Sequence, residues 1–233
     1  MQEELFTSGR HLPHIDPSLE IWHWPISVYL FLGGLAAGLL FFAGVITILG
    51  KDKEYPTSVK YASMVPPVAL SLGLLALVYD LTHPLYTWQL YTTIRLESPM
   101  SWGAWVLLAT TPLSFMWVFS YFSELFPKWN LKFDFLKTFE KFLKKNRKNM
   151  AYALVPLAII LGVYTGILLS AFNARPLWNN AILGPLFLTS GLSTGAATII
   201  LLAKSTKERH LFSKIDLALV IIELGLIVHM IMG

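Results

Sequence analysis

Protonatable and hydrogen-bonding side chains stand at the ends of several long apolar runs in this sequence. His23 precedes the first run, Asp80 ends the second, His83 follows Asp80, and Tyr164 lies near the end of the fourth. Histidine and tyrosine can hydrogen-bond a carbonyl oxygen, and a carboxylate can take up or release a proton. Asp80 and His83 are three residues apart, so on a helix both are expected to face one pocket. These residues predict a proton-handling site near one end of the runs.

A further acidic residue lies inside an apolar run. Glu223 is near the middle of the last run, and no Lys or Arg occurs between residues 215 and 232 to pair with it. An ionisable residue at such a depth is functional by default, most often in a proton path or a water-filled cavity. Glu223 is therefore a second candidate for proton transfer. Asp216, beside a basic connection, is interpreted as a charge partner.

The composition places these residues in a membrane protein. Of the 233 residues, 55% are hydrophobic and 14% are charged, whereas an average soluble domain has about 25% charged residues. The apolar runs are long enough to cross a bilayer as helices. The predicted fold class is an all-α polytopic membrane helical bundle. Its six predicted spans are 24–49, 60–82, 101–122, 150–172, 181–203 and 214–232.

The basic residues predict the orientation of the bundle. Of the 18 Lys and Arg residues, only Arg10, Arg95 and Arg175 lie on one side of the predicted spans, and the other 15 lie on the opposite side. Lysine and arginine are concentrated in cytoplasmic connections. The N-terminus is therefore expected outside, and His23, Asp80, His83 and Tyr164 are expected near the outer leaflet. The positive charge marks the cytoplasmic face and predicts no nucleic-acid site.

Two further patterns concern packing. Phenylalanines and leucines within 131–148 recur at helical spacing opposite lysines, which predicts a cytoplasmic amphipathic surface helix on the lipid bilayer. A docking surface for a cytoplasmic partner is the alternative interpretation of 131–148. Glycines in the first and fifth spans predict that other helices approach closely. These glycines are Gly33, Gly34, Gly38, Gly191 and Gly195.

The sequence also excludes several classes of protein. Without cysteine, the chain itself holds no iron–sulfur cluster. None of the six histidines falls within the middle of a predicted span, so no b-type haem and no metal site is expected. No nucleotide-binding GxxxxGK[ST] loop or zinc-binding HExxH pair occurs. A pocket of aromatic and protonatable groups suits a flat, apolar head group such as a quinone, but these residues alone do not distinguish quinone binding from small-solute transport.

Five stretches, in order along the sequence, resemble the polysulfide reductase membrane-subunit family, also called NrfD-like proteins. They are WHWPISVYLFLGGLAAG (22–38), DLTHP (80–84), SPMSWGAW (98–105), YTGILL (164–169) and RPLW (175–178). The resemblance implies a haem-free anchor that binds menaquinone or ubiquinone in a prokaryotic cytoplasmic (inner) membrane. It also implies a four-cluster iron–sulfur subunit and a catalytic, often molybdopterin-containing, subunit on the outer face. Family members usually have eight or more spans, so a truncated sequence or a shortened member is expected.

The resemblance also assigns roles to individual residues. Tyr164 looks like the tyrosine that hydrogen-bonds the quinone, and the segment from His23 to Tyr29 looks like a wall of the pocket. Trp102 and Arg175 are companions in quinone binding. The proton-relay candidates are Asp80, His83 and Glu223. A proton- or solute-translocating protein that uses Glu223, and a purely structural anchor, remain as alternatives.

Overall fold

The computed structural model describes residues 24–81, 83–95, 97–129, 133–171 and 179–232. Two candidate site residues, His23 and Arg175, lie outside the described residues. The described part of the protein is helical and contains no strand. Its α-helices are α1 (Trp24–Ile48), α2 (Val65–Asp80), α3 (Gln89–Thr92), α4 (Pro99–Phe119), α5 (Phe122–Leu125), α6 (Asp134–Lys145), α7 (Arg147–Ser170), α8 (Leu183–Leu202) and α9 (Thr206–Met232).

Among the described residues, six helical segments are long and apolar enough to span a membrane, so the predicted fold class and number of spans are confirmed. Five of the segments are α1, α4, α7, α8 and α9, and the other runs from Thr57 to Asp80. The last of them begins at Thr206 rather than at residue 214. Residues 206–213 are too polar for a hydropathy signal, but half of them are good helix formers, and burial of Phe212 ties them to the bundle.

Helix α1 is the centre of the bundle and packs against α2, α7 and α8. Helix α4 packs on α7 and α2, and α9 packs mainly on α8. The predicted close approach is confirmed for Gly34 and Gly38 of α1 and for Gly191 and Gly195 of α8, which pack against each other. A Cβ on Gly33 would meet only Tyr29 of its own helix. A Cβ on Gly195 would lie 2.7 Å from the carbonyl carbon of Gly38. Because glycine has no side chain, the backbones of α1 and α8 touch at this crossing.

Buried and half-buried carboxylates stabilise the end of the bundle that carries the lysine-rich connections, here called the basic end. Glu208 is fully buried and accepts hydrogen bonds from the backbone N–H groups of Thr57 (3.2 Å) and Ser58 (2.8 Å). These N–H groups begin the second spanning segment, where they have no partner within their own helix. A carboxylate at a helix N-terminus also interacts favourably with the helix dipole. Glu208 therefore holds the first turn of α9 against the start of the second span.

Glu124 is the centre of a second ionic cluster at the basic end. Its carboxylate pairs with Lys60, with Lys144 at 3.1 Å and with Arg147 at 2.9 Å. Burial disfavours the charged form of Glu124, but hydrogen bonds with Lys60, Arg147 and Lys144 outweigh it and lower the pKa of the carboxyl to about 2. The cluster joins the start of the second span to α5, α6 and α7.

The predicted amphipathic helix is present as α6 in the described part of 131–148, but it is shorter than predicted. It ends at Lys145, and α7 begins at Arg147 after the single residue Asn146. Residues 147 and 148 therefore belong to a span. Phe139 packs on Phe119 at the end of α4, with 5.7 Å between ring centroids.

Candidate functional site

Two tyrosines from opposite halves of the described sequence meet inside the bundle. Tyr29 lies in the second turn of α1, and Tyr164 lies in the last two turns of α7. Their hydroxyl groups are hydrogen-bonded to each other, although the residues are 135 positions apart in the sequence. Only 3% of Tyr29 and 5% of Tyr164 is exposed. The pair lies near the end of the bundle opposite the basic end, because α1 begins and α7 ends there.

A glycine on a neighbouring helix makes room for each tyrosine. A Cβ on Gly73 of α2 would lie 3.2 Å from Cδ2 of Tyr29. A Cβ on Gly103 of α4 would lie 2.6 Å from Cζ of Tyr164, which is closer than any real contact. The side-chain space that each glycine leaves is therefore filled by a phenol ring. Helices α1, α2, α4 and α7 all meet at the tyrosine pair.

The number of protons on the two hydroxyl groups determines how many hydrogen bonds the pair can donate. Each phenol carries one proton to donate and can also accept a hydrogen bond. The mutual hydrogen bond between Tyr29 and Tyr164 uses one of the two protons. The other proton remains to be donated to a third group. A buried group that receives it would be held by a donor whose position is fixed by four helices.

A cavity of about 470 Å³ lies beside the start of α4. It is open to the surface and is bordered by the connection between α2 and α4 and by the first residues of α4 itself. Its lining mixes apolar side chains with groups that can donate hydrogen bonds. The polar and charged residues of that lining are His83, Tyr86, Thr87, Gln89, Thr93, Arg95, Ser98 and Ser101. The ring of His83 meets that of Tyr86 edge to face, with 6.1 Å between centroids.

The tyrosine pair does not line this cavity, but it lies close to the cavity. Met100 lines the cavity and stands three residues before Gly103, so both lie on one face of α4, separated by a rise of about 4.5 Å along the axis. On the other side, Leu90 lines the cavity, and the adjacent Tyr91 lies within electrostatic range of Tyr29. The cavity and the tyrosines are therefore about one helical turn apart.

The expectation that Asp80 and His83 lie one helical turn apart on one face is wrong. Helix α2 ends at Asp80, and Leu81 is already extended, with φ −74° and ψ 129°. A residue that precedes a proline disfavours the helical backbone conformation, and His83 precedes Pro84. His83 is exposed and lines the cavity, whereas Asp80 is half-buried at the helix end and is not among the lining residues.

The remaining candidates are distributed around the bundle. Trp102 is on the first turn of α4, next to Ser101, and 51% of it is exposed. Glu223 is half-buried on α9, which has no extensive contact with α2, α4 or α7. Glu223 therefore does not belong to the group around the tyrosines. The structure brings together Tyr29 and Tyr164, with His83 near them in the cavity wall.

Several residues that shape this site were not predicted from the sequence. Gly103 occurs in one of the quoted stretches, where a small residue beside aromatic ones in an apolar run is a weak signal of close packing. Gly73 carries no such signal. Arg95 enters the cavity wall through the irregular connection, and its backbone N–H donates to Ser101 Oγ at 3.2 Å. The path of that connection depends on contacts that sequence spacing does not encode.

Comparisons with known proteins agree on one family. Residues 13–233 match the family model described as polysulphide reductase, NrfD. The protein is 35% identical over 198 residues to the C chain of polysulfide reductase from Wolinella succinogenes, an alignment that covers 82% of this sequence and 62% of that protein. It is 34% identical over 200 residues to Protein NrfD of Escherichia coli, which covers 81% and 61% of the two proteins. The sequence thus spans about three fifths of the length of these two relatives.

Proposed function

This chain belongs to the NrfD polysulphide reductase family, and from that premise we propose that it is the quinone-binding membrane subunit of a respiratory oxidoreductase complex. One relative is named as the C chain of polysulfide reductase, which makes that protein one component of a redox enzyme. The present sequence has no cysteine to hold an iron–sulfur cluster. Electrons therefore pass to or from an iron–sulfur partner subunit, beyond which a catalytic, molybdopterin-containing subunit acts on the terminal substrate.

The buried tyrosine pair carries this proposal. A quinone, menaquinone or ubiquinone, supplies two-electron, two-proton redox chemistry through two carbonyl oxygens. The second hydroxyl proton of the Tyr29–Tyr164 pair is available to donate to such an oxygen. The cavity about one helical turn away, with Leu81, Leu90 and Met100 in its lining, supplies space for the ring. The donor set therefore fits the group, and the neighbouring cavity supports the proposal.

Groups near the cavity transfer protons in the proposed site. His83 is exposed in the cavity wall, where its imidazole is open to water and can pass on a proton. Asp80, at the end of α2, is the second relay candidate. Because the site lies opposite the basic end, the distribution of lysines predicts that protons are exchanged on the outer side of the membrane. The partner subunits are proposed on that side.

Removal of the tyrosine hydroxyls tests this function. We expect Tyr164→Phe, in the purified complex, to lower quinol turnover by about 10- to 100-fold, because losing one partner of a buried hydrogen bond costs about 1–3 kcal/mol. Tyr152→Phe is the matched control, since Tyr152 lies on the same helix and is 54% exposed. Normal turnover by Tyr164→Phe combined with Asp80→Asn would refute the proposed site.

A second candidate function is proton or solute translocation through Glu223. Asp216 and Glu223 are both half-buried and seven residues apart on α9, so they lie on one face of that helix. Asp216 accepts a hydrogen bond of 2.6 Å from Ser193 Oγ on α8. Asp216 therefore contacts α8, and Glu223 lies on the same side of α9 about two turns further along. Uptake by the isolated protein in liposomes, abolished by Glu223→Gln, would favour this function over quinone binding.

The third possibility is a purely structural anchor. Such a subunit would hold the complex at the membrane without taking part in electron transfer. Extraction of the gently purified complex with organic solvent distinguishes the two functions. We expect a quinone in the extract, at about one molecule per complex or more. A complex without extractable quinone, yet with full activity toward soluble donors, would support the structural function.

A further inference from the structure

Helix α6 presents three different surfaces around its axis. Leu143 is buried, and Glu140 is buried and accepts a hydrogen bond of 2.9 Å from the backbone N–H of Ser123, so this face is docked on the bundle. Phe135 and Phe142 stand seven residues apart on a neighbouring face and are 76% and 60% exposed. The lysines occupy the rest of the circumference. The docked face fixes the rotation of α6 about its axis. It therefore also fixes the directions of the phenylalanine face and the lysine face.

The position of α6 relative to the spans limits what can cover the phenylalanines. Only Asn146 separates the end of α6 from the start of α7, which is itself a span. Helix α6 also contacts the end of α4, where Phe139 packs on Phe119. The helix therefore lies at the depth at which α4 and α7 leave the membrane. Side chains exposed at this depth meet lipid head groups and the first methylenes of the acyl chains.

Three lysines near these phenylalanines have no carboxylate partner among the residues that the structure describes. Lys141 and Lys145 stand one turn apart on α6, and Lys148 follows in the first turn of α7. All three are exposed, and no carboxylate in the described part of the protein lies within ion-pair distance of them. Phe142 is three residues before Lys145, so the ring and the ammonium group are neighbours on the helix surface. By contrast, Lys144 is paired with Glu124.

We propose that Lys141, Lys145 and Lys148, together with Phe135 and Phe142, form a binding surface for anionic phospholipid at the basic end. The three ammonium groups bind phosphate head groups, and the two phenylalanines enter the layer beneath them. A cytoplasmic protein is a less suitable partner, because the phenylalanines lie at membrane depth. The surface is on the opposite end of the bundle from the tyrosine pair. It does not depend on quinone binding.

Lipid titration of the full-length protein tests this proposal. The protein in mild detergent is titrated with phosphatidylglycerol or, separately, with phosphatidylcholine, and bound lipids are counted by native mass spectrometry. We expect preferential binding of phosphatidylglycerol. The triple variant Lys141→Gln, Lys145→Gln, Lys148→Gln should weaken that binding on the order of 100-fold, since each lysine near an anionic surface contributes about fivefold.

Two further variants separate a specific surface from general charge. The triple variant Lys51→Gln, Lys53→Gln, Lys214→Gln removes the same charge from other exposed positions at the basic end, and we expect it to retain binding within about threefold. The triple variant Lys141→Arg, Lys145→Arg, Lys148→Arg keeps the positive charge and should also retain binding, which assigns the loss to the missing charge. Equal binding of both lipids, or equal losses in the two glutamine variants, would overturn the proposal. Loss of a co-purifying soluble subunit from the Lys141→Gln, Lys145→Gln, Lys148→Gln variant, with unchanged lipid binding, would also overturn it.

Discussion

At the scale of single residues, the contact between Gly103 and Tyr164 is the most sensitive feature of the site. Only a residue without a Cβ lets the phenol ring lie against α4, because a Cβ at Gly103 would be 2.6 Å from Cζ of Tyr164. The hydroxyl pair thus depends on a residue that has no polar group of its own. In the site proposed above, Gly103 acts by positioning Tyr164 and has no polar group to bind a ligand.

We expect Gly103→Ala to displace the ring of Tyr164 and to break its hydrogen bond with Tyr29. Overpacking of this kind destabilises a protein by about 1–3 kcal/mol. Quinol turnover and thermal stability of the complex should both fall. Gly225→Ala is the control, because a Cβ at Gly225 has no atom within 4 Å. Equal effects of the two substitutions would contradict the assigned role of Gly103.

The ionic cluster around Glu124 predicts a pH dependence of stability. Its carboxyl has a pKa of about 2 in the folded protein against an ordinary value of 4.5, because Lys60, Arg147 and Lys144 favour the charged form over the opposing effect of burial. A lowered pKa means that the stabilisation is complete above about pH 4.5 and is lost as the pH falls toward 2. We expect Glu124→Gln to lower the melting temperature at pH 7, with a difference that shrinks below pH 4.5. A constant difference over that range would contradict this account.

At the scale of elements, the start of the second span depends on the first turn of α9. Glu208 is the only described side chain that accepts from the N–H groups of both Thr57 and Ser58. Its carboxylate replaces the partners that the first turn of any helix lacks. The hydrogen bond between Ser58 and Glu208 joins residues 150 positions apart in the sequence. It stabilises both the start of the second span and the first turn of α9.

We expect Glu208→Ala to destabilise the protein by about 1–3 kcal/mol, because two buried N–H groups would lose their partner. Hydrogen exchange at residues 57–64 should become faster than in the wild type. The control is Glu54→Ala, which removes an exposed ion pair with Lys207 and should leave exchange unchanged. Unchanged exchange in Glu208→Ala would show that water replaces the carboxylate.

At the scale of the whole molecule, the orientation of the bundle remains a prediction from the distribution of Lys and Arg. The sequence has no cysteine, so single cysteines can be introduced without a background of native ones. Gln89→Cys and Lys141→Cys are placed at opposite ends of the bundle, and both positions are exposed. We expect a membrane-impermeant maleimide added to whole spheroplasts to label position 89 and to spare position 141. The reverse pattern would place the basic end outside.

The sequence by itself determined the class of the protein and much of its architecture. Low charge and long apolar runs predicted six spans, and the described part of the structure contains six. The glycines of the first and fifth spans predicted close helix packing, which the crossing of α1 and α8 confirms. The prediction from residue spacing was wrong where the helix ends, as it does between Asp80 and His83. A period of about 100° per residue applies only while the helix continues.

Only the tertiary structure decided which residues meet. In a membrane span, apolar residues face both the lipid and the neighbouring helices, so the apolar pattern does not reveal which face is buried. The sequence therefore did not determine the rotation of α1 and α7 about their axes, which depends on their packing on α2 and α4. That packing brought Tyr29 to Tyr164, across 135 residues of sequence. It also left Glu223 on a helix apart from them, because α9 packs mainly on α8.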